Sequence, residues 1–165
     1  MDARTENRPA VRPGPAARYY EDFKVGDAWT SPGRTITEAD IVAFAGLTGD
    51  YNPIHTDEEF ARTTPFGGRI LHGPAGFAIA TGLESRLGIK DGTAIAFLGM
   101  TWDLRLPIHI GDTIRVVESV ASMRESRKPT QGLVIFDVAV VNQRGETVQE
   151  GQWKVLMMRR PEAGV

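Results

Sequence analysis

The chain of 165 residues carries 41% hydrophobic and 24% charged residues and a formal net charge of −2. These values suit one folded domain around a single core, and they offer no electrostatic footprint for nucleic acid or an anionic membrane surface. With no cysteine, disulfide and thiolate chemistry are removed. No apolar run reaches signal-peptide or membrane-span length, so the expected setting is the cytoplasm.

Residues 1–17, "MDARTENRPAVRPGPAA", are polar and Pro-rich and read as a disordered or loosely packed arm. The folded domain is expected over 18–165, with Tyr19, Tyr20 and Phe23 where the chain joins the body. "GDAWTSPGRTIT" predicts a first strand interrupted at Pro32-Gly33. Thr37 then suits a helix N-cap, with Asp40 three positions on. Ile41, Phe44 and Ala45 supply the apolar face of a short helix, and Gly46 and Gly49 loosen its end. Asp50 is therefore expected at or beyond the C-terminus of that helix.

Pro53 biases Asn52 away from the helical region, which predicts an irregular turn over 50–55. On a continuous helix, Asp50 and His55 would point about 140° apart. A broken backbone lifts that restriction and can aim both at one cavity. Asp57 to Arg62 then predicts one helical turn.

A longer helix follows Gly73, with Pro74 at its first positions and Gly88 as its stop. Gly76, Ala78, Ala80, Thr81 and Gly82 make it rich in small residues, and each glycine costs roughly 1 kcal/mol against alanine. That composition predicts a buried helix with close neighbours, and Gly76 and Ala80 suggest room along it. Strands are predicted over 93–106, 113–123, 132–142 and 147–159, joined by short connectors carrying turn residues. Short links imply an antiparallel meander. The class is α+β, a sheet curved around one helix.

Two blocks carry a resemblance. "FAGLTGDYNPIHTDEEFA" over 44–61 and "FGGRILHG" over 66–73 resemble the signature of the MaoC-like dehydratase, or (R)-specific enoyl-CoA hydratase, family. "PIHIGDTI" at 107–114 continues the likeness. The resemblance implies a hot-dog fold, an antiparallel sheet wrapped around a long central helix. It also implies reversible hydration of a 2-enoyl thioester to an (R)-3-hydroxyacyl thioester, with Asp50 and His55 as the acid–base pair.

Such a reaction needs a base for water, an acid for the α-carbon and a holder for negative charge on the thioester oxygen. For that last role the resemblance points to the Gly73 backbone N–H, at a helix start where free N–H groups gather. Asn52 either orients the loop or suits its turn. Thr81 stands where relatives carry a serine hydroxyl beside the catalytic carboxylate, with Gly82 as a close-packing neighbour. The family also implies an acyl-CoA or acyl-carrier-protein substrate and a homodimer. CoA enters only as the substrate's carrier, and no glycine-rich dinucleotide fingerprint calls for a redox cofactor. The alternatives are a non-catalytic acyl-thioester-binding module and a hot-dog thioesterase.

Other chemistry-bearing residues have plainer readings. His72 is expected to fix the loop by hydrogen bonding, and His109 to sit at a strand end. The three histidines have no zinc-ligand spacing, and a metal reading of Asp50, His55 and Asp57 lacks a second carboxylate–histidine group. Arg124, Arg127 and Lys128 form a basic hairpin tip, either a solvated turn or a contact for CoA phosphates. Trp102 and Trp153 are expected to pack in the sheet.

Overall fold

A computed structural model describes residues 14–161. Residues 1–13 of the expected arm lie outside the described part. Gly14 and Arg18 donate backbone hydrogen bonds to Asp91 (3.1 Å) and Ile89 (2.9 Å), so the described end of the arm is held against the loop after the long helix.

The first strand is broken as expected into β1 (Ala28–Thr30) and β2 (Arg34–Thr35). Helix α1 (Glu38–Thr48) follows, and the Asp40 carboxylate accepts the Thr37 N–H at 2.8 Å, closing the predicted cap. Gly49 ends the helix in the left-handed region at φ 76°, which an L side chain disfavours. Beyond it the chain departs from the expected irregular turn. Residues Pro53–Thr56 form a helical turn, α2, and Glu58–Arg62 form α3. Helix α4 covers Gly73–Ser85, three residues shorter than its predicted stop at Gly88.

Four long strands follow close to their predicted bounds: β3 (Ala94–Leu104), β4 (Thr113–Glu125), β5 (Gln131–Val141) and β6 (Thr147–Met158). The sheet is antiparallel in the order β1-β4-β5-β6-β3, with β2 also on β4. Only β4, β5 and β6 form a meander. Strand β3 lies beside β6 and not beside β4, because segment 105–112 crosses the end of the sheet, tied there by the Ile70–His109 bridge.

Register shifts between Val120 and Ser122 and between Phe97 and Gly99 bend the sheet. Its concave side receives α4, whose Ala75, Ala80 and Leu83 join Val116, Val134 and Phe136 in the core. Trp153 is buried there and Trp102 packs edge-on against Phe77, as expected for sheet tryptophans.

Strand β3 is the least buried of the four long strands. It is an edge strand, and Ile95, Phe97, Leu98, Met100 and Leu104 are all exposed on it. Among the described residues no helix is long and apolar enough to cross a membrane.

Candidate active site

The segment between α1 and α4 is folded back by local hydrogen bonds. The Asp50 N–H donates to Thr48 Oγ1 (3.2 Å), and the Asn52 N–H donates to Asp50 Oδ1 (3.2 Å). Asn52 Oδ1 accepts the Ile54 N–H at 3.2 Å, so this side chain caps α2, with Pro53 suited to the first turn. Of the two readings for Asn52, the geometry supports the turn. Arg69 pins the segment from below, with a two-pronged ion pair to Glu38 of α1 (2.7 Å) and a further pair to Glu58 of α3 (3.2 Å).

This folding aims His55 inward. The residue is only 7% exposed, and its Nδ1 lies 2.8 Å from the Ile70 carbonyl oxygen. A carbonyl only accepts, so Nδ1 carries a hydrogen, and in the neutral ring Nε2 is the nitrogen with the lone pair. Asp50 is solvent-exposed just beyond Gly49. His72, buried at the start of α4, places Nε2 2.9 Å from the Asp50 carbonyl oxygen. Its hydrogen-bonding role was legible, but its partner and its burial were not.

One nitrogen or oxygen from each of Asp50, His55 and His72 falls within 4.8 Å of the others. One water can span that separation with two hydrogen bonds of about 2.8 Å. Metal binding is a poorer use of the same groups. The two imidazoles are stacked with centroids 3.8 Å apart and planes at 26°, so their in-plane lone pairs run side by side and do not converge on one ion.

His55 and Gly73 line one cleft of about 360 Å³, with Ile54, Phe66, Leu104 and Leu106 around them. Gly73 opens α4, where the first N–H groups have no partner within the helix. A Cβ on Gly73 would lie 2.5 Å from Leu104 Cδ1, so glycine here admits the end of β3. Gln149 of β6 completes this wall, donating to the Gly73 carbonyl at 3.0 Å and accepting from Trp102 Nε1 at 3.1 Å. Sequence reading missed Gln149. Its strand also carries Glu150, Gln152 and Lys154, so no local signal set this amide apart.

Thr81 lies away from this cleft, and Gly82 and Gly76 exchange their expected roles. Thr81 is eight residues along α4 from Gly73, roughly 12 Å at 1.5 Å per residue. Its hydroxyl donates to the Ala78 carbonyl (2.7 Å), and it faces a separate cavity of about 660 Å³ with Phe77, Lys90, Phe97 and Trp153. Within one chain, Thr81 is not brought to Asp50. Gly82 is not a close-packing position, since a Cβ there would meet nothing within 4 Å. The close approach occurs at Gly76, where a Cβ would overlap the Gln149 amide, so the expected room is already filled.

The basic tip at Arg124, Arg127 and Lys128 is exposed. Arg124 pairs with Leu133 and Leu133 with Leu156, whereas the cleft lies at Gln149. Seven residues of β6 separate the two, roughly 23 Å at 3.3 Å per residue. Arg105 does stand at the cleft, but its guanidinium is paired with Glu150 (2.7 Å) and Asp103 (3.2 Å).

The chain is similar to known proteins over most of its length. A family profile described as MaoC like domain matches residues 24–142. A 3-hydroxybutyryl-CoA dehydratase of Methylorubrum extorquens is 35% identical over 88% of this chain and 87% of its own length. An (R)-specific enoyl-CoA hydratase of Rhodospirillum rubrum is also 35% identical, over 86% of this chain and 93% of its own. Among solved structures, a MaoC-like dehydratase from Rhodospirillum rubrum superposes with a TM-score of 0.77 at 33% identity, covering 88% of this chain and 99% of that one.

Proposed function

Because the chain belongs to the MaoC-like domain family, we propose that it adds water reversibly across the double bond of a 2-enoyl thioester, giving an (R)-3-hydroxyacyl thioester. The observation that carries this reading is the placement of the Asp50 carboxylate and His55 within one water's reach, with His55 and Gly73 lining one cleft.

In the hydration direction, one member of the pair takes a proton from water as the water oxygen bonds to C3. The C2–C3 π electrons move toward the thioester oxygen, and the Gly73 N–H at the helix start stabilises the enolate. The pair then returns a proton to C2. It gains one proton and gives one back, so it is restored after each turnover. The two groups act as a coupled unit. No electrons leave the substrate, so the reaction calls for no redox cofactor, and CoA or acyl carrier protein serves only as the thiol carrier.

We further propose a homodimer joined along β3. An edge strand with several exposed apolar side chains offers unpaired backbone groups and an unburied face to a second copy. We propose the cytoplasm as the setting of the reaction.

The test mixes purified protein with a short 2-enoyl-CoA and follows loss of the enoyl-thioester absorbance. Folded Asp50→Asn and His55→Gln variants should each lose about 10²- to 10⁴-fold in kcat, and the wild-type product should be the R isomer. Free thiol released at the rate of absorbance loss would instead identify a thioesterase.

A further inference from the structure

We propose that His72 is a positioning residue that holds Asp50 and His55 in register with each other; this rests on the hydration reading above. His72 is 1% exposed and touches three separate parts of the site. Its Nε2–H is donated to the Asp50 carbonyl at 2.9 Å, since that oxygen can only accept. Its ring stacks on His55 at 3.8 Å. Its own carbonyl accepts the Gly76 N–H at 3.1 Å, which ties it into the first turn of α4 immediately before Gly73.

The need for such an anchor follows from Asp50's surroundings. Asp50 stands in an exposed stretch after a left-handed glycine, and the local bonds around it are 3.2 Å long. The His72 bond joins this exposed peptide to a fully buried side chain on the central helix. The same ring forms a wall for the His55 imidazole, whose other restraint is the single Nδ1–H bond to Ile70. A Phe44 ring 5.1 Å away packs against His72 in turn. The His72 Nδ1 has no partner among the described residues. The side chain is thus held by one directed hydrogen bond and by ring packing, and each can be removed separately.

Three variants divide the contributions. His72→Phe keeps a ring against His55 and removes the donor to Asp50. His72→Gln keeps a donor and removes the ring, and His72→Ala removes both. Displacement of reacting groups by about 1 Å costs roughly 100-fold. We therefore expect kcat to fall about 100-fold in His72→Ala and about 10-fold in the other two, with KM within about twofold. A residue that only supports folding would lower the folded fraction and leave kcat per folded molecule unchanged.

A second readout does not depend on turnover. The chain has three histidines, so the His55 Cε1–H resonance can be assigned by its loss in His55→Gln. It should be displaced by the stacked ring in the wild type and in His72→Phe, and move in His72→Gln. Folded variants with wild-type kcat and an unmoved His55 resonance overturn the proposal. If the wild type fails to hydrate any enoyl-CoA, the hydration reading falls, and the resonance alone decides whether His72 positions His55. Should His72→Ala not fold, the Phe and Gln variants carry both readouts.

Discussion

Two glycines of one helix should respond to alanine in opposite directions. Gly76 and Gly82 both lie within α4, and intrinsic propensity favours alanine by about 1 kcal/mol at each. At Gly82 nothing within 4 Å opposes a Cβ. Gly82→Ala should therefore stabilise by about 1 kcal/mol, a rise in Tm of roughly 2–4 °C for a domain of this size. At Gly76 the new methyl would occupy the place of the Gln149 amide. That amide is 2% exposed and bonded to both the Gly73 carbonyl and Trp102 Nε1.

Moving it loses two hydrogen bonds of about 1 kcal/mol each and strands buried polar groups at a further 1–3 kcal/mol. Against the propensity gain, the net cost of Gly76→Ala is about 2–4 kcal/mol, or a Tm fall of roughly 4–16 °C. Thermal unfolding followed by circular dichroism measures both variants. A Gly76→Ala protein as stable as Gly82→Ala would refute the inference that Gln149 occupies the approach to the helix start.

Glu118 on β4 is fully buried and pairs with Lys90, which also binds Glu84 at 2.9 Å. Burial, partly offset by Lys90, pushes its carboxyl up to about 7 from an ordinary 4.5. The folded state therefore holds this proton more tightly than the unfolded chain. The associated stability, about 3 kcal/mol at most, is present below pH 4.5 and lost as the pH rises through about 7. Glu118→Gln should thus gain in Tm relative to wild type between about pH 5 and pH 8; a constant difference in urea or thermal melts would contradict this. Asn52→Ala removes the α2 cap and should cost about 1 kcal/mol, with a lower hydration rate because His55 rides on that turn. Phe97→Glu on the exposed β3 edge should shift sedimentation from dimer to monomer while far-UV dichroism stays unchanged.

Much of the local architecture was legible from short-range chemistry. The Thr37–Asp40 cap, the stop at Gly49 and the bounds of the four long strands each depend on residues within a turn or a pleat of one another. The segment holding Asp50 and His55 was legible as a motif, and the backbone break after Gly49 followed from glycine and proline. Its helical turn at 53–56 was not foreseen, because proline restricts the residue before it but also favours starting a helix at its own position.

Residues alone determined the α+β class and the central helix, and set an acid and an imidazole close together in sequence at 50 and 55. The tertiary structure decided which strand lies beside which, since β3 reaches β6 only by crossing the sheet end. It also decided which helix glycine is crowded, because Gln149 approaches Gly76 from a distant strand of the chain. The stacking of His55 on His72 and the separation of Thr81 from Asp50 belong to the same class. Caps, turns and strand propensity are set by neighbours along the chain. Register, ring stacking and close approach are set by surfaces that meet only when the core closes, and no local pattern encodes which surfaces those are.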